Sequence, residues 1–251
     1  LVAEEGDELK LPSAQASLYR QIAARLNYLA QDRPDIQYAT KEVCRGMSEP
    51  TGRHWKRIKR LGRYLLNNPR AAMHFDWQAP HFQIQAYSDS DFAGCRETAK
   101  STSGGVIMIG SHLIKSYSAT QKTVALSSAE AELTAVVKCS CETIGIAQLA
   151  YDWGLELAGN IYTDSSSALA VVKRKGAGKL RHVRVGQLWV QQKQEDGELG
   201  YKKVPGDSNP ADMLTKAMRS ELIKKYSNWI SLQWNILSVG LLAQRAWREK
   251  E

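Results

Sequence analysis

The chain contains few cysteines, the residues that form disulfide frameworks and many structural zinc sites. It has only four cysteines in 251 residues, and no two of them form a C-x-x-C motif. A zinc site and a disulfide framework are therefore not indicated. No secretory signal is evident either, which is typical of a protein from a reducing compartment.

The chain also lacks long apolar runs, internal repeats and low-complexity tracts. The longest apolar run near the C-terminus, residues 236–243, is too short to span a bilayer, so we expect no membrane partner. Because the chain begins at Leu1 rather than Met, we expect a fragment or a processed product.

Acidic residues are outnumbered by basic ones. There are 26 Asp and Glu against 34 Lys and Arg, which gives a formal charge of +8 and favours an anionic partner. The hydrophobic content of 43% and the charged content of 24% are ordinary for a globular protein. A chain of this length can form one large or two small domains, each with a real core.

The positive charge is concentrated between residues 17 and 75, with 12 Lys or Arg and 4 Asp or Glu. A predicted helix over residues 51–66 has an apolar face and a basic face. We interpret the basic face as a phosphate-binding surface, since each phosphate contact releases counterions; the alternative is a solvated basic face. Its residues are Arg53, Lys56, Arg57, Lys59, Arg60 and Arg63.

Periodicity divides the chain into a helical first part and a mixed second part. The second part reads as three strands, a helix, a strand, two helices, a strand and a helix, which indicates an α/β fold. The predicted strands are 82–87, 104–110, 112–118, 161–163 and 200–204. The predicted helices are three between 17 and 66, then 128–152, 165–174, 182–195, one from Asn209, and an amphipathic tail over 220–248.

Four carboxylates occupy distinctive places in this pattern. Asp89 and Asp164 each follow an apolar strand, and they would emerge at one sheet edge if the two strands are parallel neighbours. Glu132 lies about one turn into the long helix, and Asp212 lies in the first turn of its own helix. Four converging carboxylates can hold two hard divalent cations. Taken singly, each acid is more often a surface or capping residue.

The motifs around these acids resemble the ribonuclease H domain of Copia-type LTR retrotransposons. The segments that carry the resemblance are YSDSDFAG (87–94), KSTSGG (100–105), ALSSAEAEL (125–133), TDSSSA (163–168), RH (181–182) and ADMLTK (211–216). The preceding helices resemble the thumb and connection end of the reverse transcriptase. The segments there are YR (19–20), LNYL (26–29), RPDI (33–36), HW (54–55) and LGRYL (61–65).

This resemblance covers about residues 17–218 and implies a domain organisation. It implies a ribonuclease H-like mixed five-stranded sheet flanked by helices over 79–219, after a small helical thumb and connection segment over 17–78. Residues 1–16 would be a linker or loose end, and residues 220–251 a helical tail.

The resemblance also implies two-metal hydrolysis of the RNA strand of RNA/DNA hybrids during reverse transcription, which leaves 5′-phosphate and 3′-hydroxyl ends. Asp89, Glu132, Asp164 and Asp212 would be the catalytic residues and the ligands of two Mg²⁺ ions, with Mn²⁺ as a substitute. One ion would activate the attacking water, and the other would stabilise the leaving oxygen.

Further residues are candidates for contact with nucleic acid, which would be read through 2′-hydroxyls and the minor groove. They are Ser90, Ser128, Ser165, Arg181 and His182, although a lone histidine beside an arginine is also a common surface residue. Three nearby acids are interpreted as non-ligands. They are Glu130, which fits the family pattern less well than Glu132, Asp91 in a turn and Asp207 in a loop.

The expected partners are an RNA/DNA hybrid and the remainder of the reverse transcriptase, whose fingers and palm are absent from this chain. We expect a location in cytoplasmic virus-like particles or in the nucleus; the oligomeric state stays open. One alternative is a catalytically idle, repurposed subunit that binds nucleic acid or protein in a larger assembly. Another is an integrase or resolvase, which the spacings of 43, 32 and 48 residues between successive acids disfavour.

Overall fold

The computed structural model describes residues 8–176, 178 and 185–234. Contacts divide the chain into two compact units. One contains the described residues up to His74 together with 231–234, and the other contains Phe75–Ile230. The predictions for residues 1–7, for Arg181 and His182, and for 235–251 lie outside the described residues.

The first unit is built on three helices that share one apolar core. Tyr19, Ile36 and Val43 are fully buried there, and the Tyr19 hydroxyl donates a 2.6 Å hydrogen bond to the Val43 carbonyl. Helix α1 begins at Ser13, directly after Pro12 and four residues before the predicted start of the helical part at residue 17. The helices are α1 Ser13–Leu29, α2 Pro34–Cys44 and α3 Gly52–Asn67.

A two-stranded antiparallel sheet in the same unit was not predicted. It pairs β1 (Ala71–Met73) with β7 (Leu232–Trp234). Strands of three residues are too short to show an alternating pattern. Within the described part of the predicted helical tail, residues 220–229 form α7 (Ser220–Trp229). The helix ends there, because Ser231 adopts a positive φ of 61° and the chain then enters β7.

The second unit contains a mixed five-stranded sheet in the order β4-β3-β2-β5-β6. Strands β2, β3 and β4 are antiparallel, whereas β5 and β6 run parallel to β2. The predicted α/β fold class, a mixed five-stranded sheet flanked by helices after a small helical segment, is confirmed. The strands are β2 Gln83–Ser90, β3 Thr102–Ile109, β4 His112–Thr120, β5 Ala158–Thr163 and β6 Leu199–Lys203.

Helix α4 (Ser128–Asp152) packs along the sheet and supplies much of its core. Its Leu133, Val136 and Cys139 are fully buried against strand residues such as Ile84 and Ile161. The helix begins where predicted, since the Ser127 hydroxyl accepts a hydrogen bond from the Glu130 backbone N–H. The other helices of this unit are α5 Ser166–Val172, α6 Trp189–Glu195 and α7.

In the part of the chain that the structure describes, α4 alone has the length and apolar composition of a membrane-spanning helix. Core helices of soluble proteins satisfy the same criterion, and α4 has its apolar face against the sheet. Leu149, near the C-terminal end of the helix, is half exposed.

Candidate metal centre

Asp89 and Asp164 lie at the same edge of the sheet. Strands β2 and β5 are parallel neighbours, and Ser88 is paired with Thr163. Asp89, the penultimate residue of β2, and Asp164, which directly follows β5, come next along the two chains, so their side chains leave the sheet side by side. This is the adjacency that the sequence required for a shared site.

Glu132 and Asp212 approach this edge from two other elements. One carboxylate oxygen each from Asp89, Glu132 and Asp164 lies within 4.8 Å of the others. Asp212 lies outside this group of three, but it is close enough that its charge raises the pKa of Asp89. Sheet, long helix and a later turn thus bring the four predicted acids together. We name Asp89, Glu132, Asp164 and Asp212 the acid cluster.

Burial and mutual repulsion disfavour the charged forms of these carboxyls. Burial, followed by the charge of Asp212, raises the pKa of Asp89 to about 6, although a hydrogen bond from the Thr215 hydroxyl opposes the change. Burial, followed by the charges of Asp89 and Asp164, raises the pKa of Glu132 to about 9. Burial and then Asp89 also raise the pKa of Asp164. A nearby cation would relieve this repulsion.

The donor set fits a hard divalent cation. The Glu132 Oε2 atom is buried and has no hydrogen-bond partner among the described residues. Leaving such an atom buried without a partner is costly unless a ligand satisfies it. Carboxylate oxygens are the ligands that hard divalent cations favour, so Asp89, Glu132 and Asp164 could hold a metal ion.

Asp212 lies in a 3₁₀ helix, Pro210–Leu214, rather than in the predicted α-helix. The segment packs closely onto β3, where a Cβ added to Gly104 would lie 2.8 Å from the Ala211 carbonyl oxygen. Asn209, which is fully buried, holds the start of this 3₁₀ helix. Its Nδ2 donates to the Ser88 carbonyl at 3.0 Å, and its Oδ1 accepts from the Ala211 N–H at 3.2 Å.

Two residues directly after this 3₁₀ helix, Thr215 and Lys216, also contact the acid cluster, although no role was predicted for them. The Thr215 hydroxyl donates to Asp89, and the Lys216 ammonium lies 2.9 Å from Asp212 Oδ1. The sequence contained a signal for Lys216, since Asp212 and Lys216 are four residues apart and both belong to the recognised ADMLTK motif.

Each of the three acids interpreted as non-ligands forms a hydrogen bond with a group outside the acid cluster. Glu130 Oε2 accepts a hydrogen bond from the Leu126 N–H at 2.7 Å at the start of α4. Asp91 accepts from the Thr102 N–H in the connection between β2 and β3. The Asp207 side chain accepts from the Ser208 hydroxyl at 3.0 Å and is exposed.

The serines proposed to contact nucleic acid differ in their surroundings. Ser128 is exposed at the start of α4. Ser165 follows Asp164 and caps α5 by accepting from the Ala168 N–H at 3.2 Å. Ser90 is half-buried and donates to the Asp91 carbonyl at 2.8 Å. Arg181 and His182, the other two candidates, are outside the described residues.

The basic face of α3 lies in the first unit. Arg53 and Arg57 are half-buried and pair with Glu8 at 3.5 Å and Glu42 at 3.9 Å. Four further cations of this face are exposed, so part of the predicted surface is open to an anionic partner. They are Lys56, Lys59, Arg60 and Arg63.

Comparisons with known proteins give relatives for most of the chain. It is 31% identical over 217 residues to the retrovirus-related Pol polyprotein of transposon RE2 from Arabidopsis thaliana, which covers 85% of this chain and 15% of that protein. It is 30% identical over 236 residues to the Pol polyprotein of transposon TNT 1-94 from Nicotiana tabacum, covering 90% of this chain and 17% of that protein. The chain thus spans about a sixth of the length of these curated relatives.

No protein-family model matches the chain. Among solved structures, LC11-RNase H1, isolated from compost by a metagenomic approach, aligns with 57% of this chain and 97% of its own. The sequence identity is 20% and the TM-score is 0.41. The sequence relatives identify this chain as a homologue of the retrovirus-related Pol polyproteins of Copia-type plant transposons.

Proposed function

We propose that the second unit is a ribonuclease H that hydrolyses the RNA strand of RNA/DNA hybrids. The observation that carries this proposal is the convergence of Asp89, Glu132 and Asp164 within 4.8 Å, with Asp212 beside Asp89. The homology to Pol polyproteins supports the same conclusion, because the proposed activity is one that reverse transcription requires.

The acid cluster would hold two Mg²⁺ ions, or Mn²⁺ in their place. Divalent ions so bound supply Lewis-acid activation of water and charge stabilisation of the leaving oxygen. The protein contributes the spacing of its four carboxylates, which two sheet strands, α4 and the 3₁₀ helix Pro210–Leu214 maintain. The products would be 5′-phosphate and 3′-hydroxyl ends.

We further propose that nucleic acid is bound through its backbone. Lys59, Arg60 and Arg63 on α3 are exposed and have no ion-pair partner among the described residues, so their charge is available to phosphates. Ser128 and Ser165 would contact the hybrid near the acid cluster. The remainder of a reverse transcriptase would be the protein partner, in cytoplasmic virus-like particles or in the nucleus.

The proposal is tested by cleavage of a hybrid with labelled RNA, using the wild type, Asp164→Asn and Asp207→Asn. We expect metal-dependent cleavage by the wild type and by Asp207→Asn, because Asp207 lies outside the acid cluster. Asp164→Asn should lose at least about 100-fold, since even groups that only orient metal ligands cost 10–100-fold. A folded wild type that cleaves with neither Mg²⁺ nor Mn²⁺ would instead favour the repurposed, non-catalytic subunit.

A further inference from the structure

Gln121 connects the elements that present two of the proposed metal ligands. It directly follows β4 and is 5% exposed. Its backbone N–H donates to the Ser101 carbonyl at 2.8 Å. Its side chain therefore starts from a fixed point and extends inward rather than into solvent.

The Gln121 side-chain nitrogen reaches three acceptors on three different elements. They are the Ala131 carbonyl in α4 at 2.9 Å, the Ser103 hydroxyl in β3 at 3.0 Å and the Ser90 hydroxyl in β2 at 3.2 Å. An amide nitrogen has two hydrogens, so all its donor capacity is used in these contacts.

Two of these acceptors are chain neighbours of the acid cluster. Ser90 directly follows Asp89, and Ala131 directly precedes Glu132. A single buried amide thus joins the end of β2 to the first turns of α4. The hydrogen bonds within strands and within α4 do not set the distance between these two elements, whereas Gln121 spans it.

We infer that Gln121 is a positioning residue, which fixes the separation of Asp89 and Glu132 so that the acid cluster is matched to Mg²⁺. This inference rests on the proposed function. Mg²⁺ requires near-ideal octahedral geometry at short distances, whereas Ca²⁺ accepts longer and more variable ones. A ligand pair freed to shift by a fraction of an ångström should therefore lose Mg²⁺ affinity more than Ca²⁺ affinity.

The test is calorimetric titration of the full chain with Mg²⁺ and with Ca²⁺, using wild type, Gln121→Leu and Gln148→Leu. Leucine keeps the approximate side-chain volume but removes the donors. Gln148 is an exposed glutamine near the other end of α4, where its amide contacts only Asp152 among the described residues, so it is the matched control. Circular dichroism establishes that each variant is folded.

For Gln121→Leu we expect Mg²⁺ affinity to fall by about 10–100-fold, as for other residues that orient metal ligands. Ca²⁺ affinity should fall less, and Gln148→Leu should bind as the wild type does. Unchanged Mg²⁺ affinity in folded Gln121→Leu, or an equal loss for both ions, would overturn the inference.

If Gln121→Leu does not fold, Ser103→Ala decides the question, because it removes one acceptor of the same amide. This substitution should weaken Mg²⁺ binding several-fold and Ca²⁺ binding less. Unchanged Mg²⁺ affinity would overturn the inference. A folded wild type that binds no divalent ion would overturn the proposed function itself, which is a distinct result from equal binding by wild type and variants.

Discussion

The Lys216 ammonium lies 2.9 Å from Asp212 Oδ1 and is the cation closest to the acid cluster in the contacts described above. Burial alone would lower the pKa of Lys216, but the hydrogen bond to Asp212 and the charges of Asp89, Asp212 and Asp164 raise it. The ammonium therefore stays charged and offsets part of the repulsion among the carboxylates. The positive charge of Lys216 would repel a divalent cation bound by the acid cluster.

Removal of this charge should strengthen metal binding. We expect Lys216→Met to bind Mg²⁺ at least about tenfold more tightly. The reason is that a unit positive charge a few ångströms away repels a divalent cation by more than about 1.4 kcal/mol, which corresponds to a factor of ten in affinity. Isothermal titration measures this directly. Lys193→Met is the control, since Lys193 pairs with Glu198 rather than with the acid cluster. Equal or weaker binding by Lys216→Met would show that Lys216 does not oppose the ion.

Stability in the absence of metal should depend on pH through Glu132. Burial, then Asp89 and Asp164, raises its pKa from 4.5 to about 9, so the folded protein retains a proton that the unfolded chain releases. Stability from this group is complete below pH 4.5 and declines as pH rises toward about 9. Glu132→Gln should remove this part of the decline and should raise the melting temperature at pH 8.

The measurement is thermal unfolding with EDTA at several values of pH. Addition of Mg²⁺ should stabilise the wild type at pH 8 and should stabilise Glu132→Gln less, since the variant lacks one ligand. A wild-type and a variant protein with the same pH dependence would contradict the raised pKa of Glu132.

The hydrogen bond from Asn209 to the Ser88 carbonyl should contribute to stability. We expect Asn209→Ala to lower the free energy of unfolding by about 1–3 kcal/mol, because it leaves a buried carbonyl without this partner. Urea denaturation provides the value. Asn228→Ala, at an exposed position of α7, should change stability by less than about 0.5 kcal/mol. Equal effects of the two substitutions would argue against this docking contact.

The basic face of α3 should contribute to the salt dependence of hybrid binding. For Arg60→Gln, we expect the slope of log binding constant against log salt concentration to become shallower by about one phosphate contact. Arg25→Gln is the matched control, because Arg25 is an exposed arginine on α1 of the same unit. Fluorescence anisotropy at several salt concentrations measures both slopes. The same change in both variants would indicate a general charge effect rather than a binding face.

Helices of several turns and strands with several alternating residues were predictable from the sequence. The 25 residues of α4 carry an N-cap at Ser127 and a continuous apolar stripe, and the predicted span matches the observed one. Strands β3 and β4 were both predicted, and Gly110, whose φ of 61° suits glycine, lies in the tight turn between them. The placement of Asp89 and Asp164 followed from strand ends alone, once the two strands proved to be parallel neighbours.

Features that depend on distant contacts were not predictable. The pairing of β1 with β7 joins segments about 160 residues apart, each only three residues long. The 3₁₀ helix at Asp212 depends on close packing against Gly104, which no local pattern reveals. Gln121 has no distinctive sequence context, and its importance is visible only when the three elements that it joins are assembled.

The most direct test of the central claim is a cleavage assay with an RNA/DNA hybrid whose two strands carry different labels. Wild type should cut only the RNA strand with Mg²⁺ or Mn²⁺ and should be inactive in EDTA, while Asp89→Asn, in the acid cluster, should lose at least about 100-fold. Asp207→Asn should retain activity. Cleavage that persists in EDTA or in folded Asp89→Asn, or no cleavage by folded wild type with either metal, would contradict the account.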